Sequence, residues 1–337
     1  MPQTSTVLGF HNSRSNAVLS EQILPDPIDR DLLVQIDAIS VNPVDTKVKA
    51  GIEGDLEPAK IVGWDASGTV ISIGDNVELF KVGDKIFYAG EITRPGCYAS
   101  HQLVDERLVG IKPKSLSSTE AAVLPLTSIT AWEALFSRLK ILSEIDAGKT
   151  ILIIGAAGGV GSIAIQLAKT IAKLNVVATA SRTESQQWCQ KLGADHVINH
   201  HGDLLENYRA LAIDDPDYIL CLSDTDHYFS TMAELIAPQG MICTIVGSNE
   251  NHDLDKLKSK SAGLVWEFMF TRPMFKTKDM ITQHHLLNTV SQLVDDGIIC
   301  STLTETIGPI STENIAKAHQ KLLSGKTIGK LALTAIE

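Results

Sequence analysis

Cysteine is scarce in this chain of 337 residues, and what there is forms no framework. Cys97, Cys189, Cys221, Cys243 and Cys300 are scattered, odd in number and without a C-x-x-C. That excludes a disulfide scaffold and a four-cysteine structural zinc lobe. Reduced thiols are expected, with Cys221 and Cys243 in apolar, strand-like runs. Long hydrophobic runs are missing as well. No stretch approaches the roughly 18 apolar residues of a membrane span, and MPQTSTVLGFHNSRSN at the start lacks a signal-peptide core. A cytoplasmic protein with no membrane partner is therefore expected. Basic charge is in deficit, 29 Lys and Arg against 40 Asp and Glu, for a net charge of −11. Nucleic acid and anionic membranes need a basic face, so neither is the expected main partner, although a local pocket for one phosphate remains open. Hydrophobic content of 44% and charged content of 20% fit two ordinary domains with a sizeable core.

The most informative segment present is 151–161, ILIIGAAGGVG. Four apolar residues read as a buried strand, and Val160, Ile163, Ala164, Leu167, Ala168 and Ile171 carry a helical pattern after it. A strand feeding a Gly-rich turn into a helix leaves backbone N–H groups free at the helix N-terminus, where they bind phosphate. Gly155 begins the turn, and Ala156 stands at the first glycine of the usual G-x-G-x-x-G. Gly158 lets the backbone approach a pyrophosphate, Gly161 lets the helix lie close to the strand, and Gly159 and Val160 place their N–H groups on the same ligand. A plain glycine loop is the alternative; the strand–turn–helix setting favours a dinucleotide site.

Before this segment the chain reads as β-rich. Residues 32–41 alternate, 69–73 form a second candidate strand, 82–85 mark a turn before 86–88, and another short run begins at Leu103. Many short strands suggest a partly closed barrel. A helix capped by Ser118 or Thr119 follows, Pro125 interrupts it, and a second helix covers 129–140. Strands at 151–154, 176–180, 197–198, 218–222 and 241–246 then alternate with helices near 160–171, 184–192 and 229–237, the signature of a parallel, doubly wound sheet. A helix over 281–296, another carrying Ile315, His319 and Leu322, and a strand at 328–334 complete the chain, its tail returning to the first domain.

After the second strand of such a sheet an acid usually holds the ribose of NAD, whereas a basic or small polar residue accommodates the 2′-phosphate of NADP. Here the strand runs into Ala180-Ser181-Arg182-Thr183, with no acid at its tip. Ser181 offers a hydroxyl and Arg182 a planar fork of donors, so NADP(H) is expected; an exposed loop arginine is the alternative.

SVNPVD at 40–45, GWDASG at 63–68, LPLTSITAW at 124–132 and the Gly-rich turn occur in one order that resembles the medium-chain dehydrogenase/reductase superfamily. Within it the chain is similar to the zinc-free, zeta-crystallin-like quinone oxidoreductases, and VWEFMFT at 265–271 resembles the subgroup of zinc-type alcohol dehydrogenase-like proteins. The resemblance implies an α/β protein with a GroES-like β-barrel catalytic domain (1–125 and 299–337), a Rossmann doubly wound parallel sheet (126–298), and a cleft between them. In zinc-dependent relatives a Cys stands at Asn42, a His-Glu pair at Trp64-Asp65, and a Cys near Leu126. None of these soft or imidazole ligands is present here, so no metal is expected. The adjacent pairs His200-His201 and His284-His285 point apart and read as solvated.

Without a Lewis acid the ionisation of an alcohol loses its driver, while hydride addition to a quinone or similar conjugated carbonyl remains accessible. The resemblance gives Asn42 a contact with the acceptor oxygen or nicotinamide; a turn residue before Pro43 is its plainer reading. Asp45 orders that loop or transfers a proton. Trp64 is either a wall for an aromatic acceptor or a core residue. Thr127 and Thr130 lie on the segment that faces the nicotinamide in relatives. His200 stands where relatives place an aromatic beside adenine, and the backbone of Val246 and Gly247 is expected to meet the carboxamide. Many relatives carry a Lys where this chain has Asn175. Tyr88 and Tyr98 are candidate proton donors without a place. A 2-alkenal or enone reductase, a non-catalytic NADPH-binding protein and a zinc alcohol dehydrogenase are the competing readings. Relatives usually pair the edges of their Rossmann sheets, so a homodimer is expected, with 263–270 at the edge or as a wall of the cleft.

Overall fold

The alternation at 32–41 becomes strand Asp31–Ser40 in the computed structural model, which describes residues 3–336. The strand is buried along most of its length, because both of its edges are paired. One edge takes Ala66–Ile73; the other takes His101–Asp105 at its start and Lys330–Thr334 at its end, all antiparallel. The sheet continues to Lys85–Tyr88 and Val109–Ile111 on one side, and to Leu303–Pro309, parallel to Lys330–Thr334, on the other. A smaller sheet orders Val18–Leu24, Gln3–Phe10 and Lys60–Ile61. Leu32, Val34, Ile36, Phe87 and Leu333 are among the buried apolar side chains of the larger sheet.

The chain divides into two units. The first holds the described residues through Ile129 and from Phe270 onward; the second is Thr130–Met269. The second boundary departs from the expected 126–298 domain, since helix Thr282–Asp295 packs on the first unit. Its His284 Nδ1 lies 2.7 Å from Val109 O, Asn288 Oδ1 accepts from the Ile111 N–H, and Asp295 accepts from the N–H groups of Lys114 and Ser115. His284 is thus half-buried and tied down, with Phe80 edge-on at 5.5 Å, while its neighbour His285 is exposed.

The helix begun at Ser118 is capped one residue earlier than expected, by Ser117. Its hydroxyl accepts from the Glu120 N–H, while Glu120 Oε2 accepts from the Ser117 N–H. Pro125 does not merely interrupt; it starts the next helix, Pro125–Trp132, where its missing N–H costs nothing. The remainder of the expected 129–140 helix widens into a π-helical turn, Glu133–Arg138, with Leu139 N bonded to Ala134 O.

The second unit is a six-stranded parallel sheet in the order His196–Ile198, Asn175–Thr179, Thr150–Ile154, Tyr218–Cys221, Met241–Thr244, Gly263–Trp266. In chain order that is 3-2-1-4-5-6, with the switch point at the carboxyl end of Thr150–Ile154. Leu152, Ile154, Ile219, Phe229, Met232 and Leu235 build the core on one face. Gly193 ends helix Thr183–Lys191 with φ +109°, as a glycine after a helix should. Cys221 and Cys243 lie buried in central strands, and no disulfide joins any of the five cysteines.

Candidate active site

In the first unit, Asn42 carries extended backbone (φ −132°, ψ 155°) into helix Pro43–Ala50, and Pro43 fixes the first helical φ. Asp45 turns back on it, Oδ2 accepting from the Asn42 N–H at 2.8 Å. The Asn42 side chain is 1% exposed, and both ends of its amide are held. Nδ2 donates to Asp65 Oδ2 at 2.9 Å, and Oδ1 accepts from Lys330 Nζ. Lys330, 4% exposed, also donates to Val41 O at 2.8 Å and lies 3.2 Å from Asp65 Oδ2. An ammonium has three protons, and here three acceptors surround it. Asp65 Oδ1 takes the Leu126 N–H at 2.9 Å. Burial pushes the Asp65 carboxyl up and the Lys330 ammonium down, and each charge opposes the shift of the other.

This donor set does not fit zinc. The oxygens of Asn42 and Asp65 are engaged by a buried ammonium, which a divalent cation would have to displace for one amide and one carboxylate. Among the described residues, no group of three or more His, Cys, Asp or Glu side chains is placed to hold a metal ion.

Asp45 has a second donor: Tyr98 OH reaches Oδ2 at 2.9 Å and also lies 2.9 Å from His319 Nε2. Asp45 Oδ1 is buried without a hydrogen-bond partner. Burial raises the Asp45 carboxyl to about 7, against the pull of the Asn42 N–H, the Tyr98 hydroxyl and Lys330. Burial first, and Lys49 second, lower the His319 imidazole to about 4.

The other expected residues are more dispersed. Trp64 is fully buried, its indole N–H on Glu91 O and its ring edge-on to Phe270, the contacts of a core residue. Thr127 is 1% exposed and its hydroxyl donates to Val123 O and Leu124 O, one turn back, leaving no proton for an acceptor oxygen. Tyr88 OH is spent on Gln102 Oε1. Thr130 is buried on the same helix as Thr127.

In the second unit, the Gly-rich turn leaves strand Thr150–Ile154 through Gly155, whose φ of +80° suits glycine and whose N–H donates to Thr179 Oγ1. Gly158 precedes helix Gly159–Thr170, which has no acidic residue in its first turn. A Cβ at Gly161 would fall 2.3 Å from Ala156 O, a backbone atom, so only glycine permits this approach of helix to strand. Ser162 Oγ donates to Gly158 O and accepts from Trp188 Nε1, fastening the turn from behind. Half-exposed Gly159 and Val160 begin the helix, where N–H groups lack intrahelical acceptors, while the Gly158 N–H donates to Gly155 O at 3.3 Å. Half-buried Ser181 and Arg182 follow the neighbouring strand Asn175–Thr179. Asn175 begins that strand, and its amide donates to Gly148 O, so it lies at the far end from Ser181 and Arg182. His200 is half-buried beside His201, its Nδ1 without a hydrogen-bond partner, which replaces the fully solvated reading. Val246 O accepts from Thr225 Oγ1 just beyond strand Met241–Thr244, and exposed Gly247 follows.

Lys330, Tyr98 and His319 are thus the site residues that sequence reasoning missed or could not place. Each is defined only by a partner more than 50 residues away.

Two family models match: the alcohol dehydrogenase GroES-like domain over residues 28–119 and the zinc-binding dehydrogenase over 159–277. A zinc-type alcohol dehydrogenase-like protein, SAS2087, of Staphylococcus aureus (strain MSSA476) is 46% identical over 315 residues, 93% of each chain. A crystal structure of a candidate zinc-dependent alcohol dehydrogenase from Rhizobium etli CFN 42 superimposes with a TM-score of 0.95 at 43% identity, covering 100% of both chains. A 2-methylene-furan-3-one reductase of Solanum lycopersicum is 29% identical over 328 residues, 94% of this chain and 75% of that protein.

Proposed function

We propose that this chain, which belongs to the medium-chain dehydrogenase/reductase superfamily of oxidoreductases, is a zinc-independent, NADPH-dependent reductase of quinones or similar conjugated carbonyls. The observation that carries the reading is Lys330. Its ammonium takes the oxygens of Asn42 and Asp65 from which a metal centre would be built. A centre of that kind cannot ionise an alcohol, so the accessible direction is reduction of an acceptor that is already electrophilic.

When bound, the dinucleotide supplies a hydride. The residues that would hold it are the backbone of Gly158, Gly159 and Val160 for the pyrophosphate and Ser181 and Arg182 for the 2′-phosphate. Thr130, His200, Val246 and Gly247 would flank the rest. Asn42 keeps one amide proton after bonding Asp65, and the Lys330 charge on its carbonyl strengthens that donor. Asn42 offers it where negative charge develops on the acceptor oxygen. The tomato furanone reductase, whose name describes reduction of a conjugated ketone, supports the substrate class.

The test is a titration of NADPH against NADH with wild type and Arg182→Ala, joined to NADPH oxidation with 1,2-naphthoquinone and with a 2-alkenal. NADPH affinity falls about tenfold in the variant while NADH is unaffected, as expected for one charge-assisted phosphate contact. Equal affinities in both proteins would reject the 2′-phosphate assignment, and absence of turnover with both acceptors would reject the reductase.

A further inference from the structure

Within the first unit, a line of buried hydrogen bonds leads from the Asn42 turn to a separate cavity. Asp45 Oδ2 is joined to Tyr98 OH, and Tyr98 OH to His319 Nε2, each at 2.9 Å. The His319 ring stacks on Phe10 at 5.8 Å and helps line a cavity of about 270 Å³, together with Lys49 and residues of helix Thr312–Leu323. Asp45 and Tyr98 are fully buried, and His319 is 6% exposed. Lys49, Lys330, Asp65 and the Cys97 thiol are the charged and titratable groups that act on the line.

The tyrosine has one proton to give, and this makes the line two-state. When Asp45 is ionised, Tyr98 donates to it, and His319 must carry its proton on Nε2 and donate to the phenol oxygen. When Asp45 is protonated on Oδ2, it donates to Tyr98, whose proton turns to His319 Nε2; the imidazole proton then sits on Nδ1. Each proton gained by Asp45 reverses every bond and changes the His319 tautomer.

We propose that Asp45, Tyr98 and His319 form a proton wire between this cavity and the Asn42 turn. Its use rests on the reductase reading, while its existence does not. Hydride addition to a conjugated carbonyl leaves an anion that takes up one proton. That proton leaves Asp45; the Tyr98 hydroxyl then turns to the carboxylate, and His319 takes up its Nε2–H tautomer by exchange with solvent in the cavity. Solvent next protonates Nδ1 while the Nε2 proton passes to the phenol oxygen and the phenol proton to Asp45. One hydride and one proton enter the acceptor, and the wire ends as it began. Tyr98 and His319 act through Asp45 and are positioning and relay residues.

The test is ¹⁵N NMR of the histidines in the full-length protein between pH 5 and 9. The His319 nitrogens are expected to exchange tautomeric shifts as Asp45 titrates near neutrality, and to keep one tautomer throughout in Asp45→Asn. A single tautomer across the range in folded wild type would overturn the wire. With turnover established, Tyr98→Phe is expected to lower kcat at least tenfold, with both KM values within about twofold and a larger solvent isotope effect. His319→Gln is the second variant should Tyr98→Phe fold poorly. An unchanged kcat in a folded variant overturns the wire, whereas an inactive wild type with a normal tautomer switch defeats the reductase reading alone.

Discussion

Removing His319 should make the stability of the first unit strongly dependent on pH, although His319 itself titrates. Two buried groups of opposite sense share one hydrogen-bonded line. The Asp45 carboxyl is raised from 3.8 to about 7, so the folded state keeps a proton that the unfolded chain releases. Stability from this group is full below pH 4 and falls as pH rises through 7, by about 4 kcal/mol at 1.36 kcal/mol per unit. The His319 imidazole is lowered from 6.5 to about 4, so the unfolded chain binds a proton that the folded state refuses. Its contribution is full above pH 6.5 and is lost as pH falls to 4, by about 3 kcal/mol. Over the shared window the slopes nearly cancel in wild type. His319→Gln removes the rising slope, so relative to wild type it loses about 3 kcal/mol between pH 4 and 6.5. Asp45→Asn does the reverse and gains about 4 kcal/mol over pH 4 to 7. Urea titrations at several pH values, followed by the indole resonance of Trp64 in the same unit, measure both. Variant and wild-type stabilities that run parallel across the window would refute the assignment of these opposed shifts.

Lys330→Met leaves Asp65 buried without its cation and is expected to cost about 3–5 kcal/mol in urea unfolding; adding Asp65→Asn recovers part of it. Gly161→Ala places a Cβ against Ala156 O, so it should lower stability by about 1–3 kcal/mol and weaken NADPH binding, read by thermal unfolding and cofactor fluorescence. Strand Gly263–Trp266 is an edge strand with Trp266 and Phe268 exposed beside it. Pairing of this edge with a second copy predicts a dimer by light scattering and a monomer for Trp266→Glu. Zinc added to wild type should leave no stoichiometric metal after dialysis, by elemental analysis.

The parallel sheet was legible because its signals are local. A buried run, a glycine turn and a helical stripe sit within twenty residues of one another around Gly158, and the strand–helix alternation repeats. The missed elements lack such a signal. Val18–Leu24 lies largely exposed and shows no alternation, Leu303–Pro309 contains a glycine and a proline, and Leu204–Arg209 is too short to show a helical period. Helix Thr282–Asp295 was legible as a helix but not in its allegiance, since an apolar stripe says that a face is buried and not against what. The site divides in the same way. Asn42, Asp45 and Asp65 stand out by their motifs. Lys330 is 288 residues from Asn42, and His319 is 221 from Tyr98, so only the closed sheet brings them together.

On the proposed reading, the place of Lys330 would also explain how one scaffold supports a different chemistry. Zinc with an open coordination position acts on a substrate oxygen directly, as a Lewis acid. An ammonium whose three protons are taken by Asn42, Val41 and Asp65 has no such position. Its charge reaches outward only through the amide it polarises, as a stronger N–H on Asn42. Such a donor stabilises charge that a reaction creates and does little for a neutral alcohol. It therefore favours an acceptor whose oxygen becomes negative on hydride addition. The surrounding burial serves the same end. Asp65 keeps Lys330 charged, Lys330 keeps Asn42 oriented, and the Asp45 carboxyl, a few residues along the same turn, is held near neutrality, where a proton can be both accepted and released.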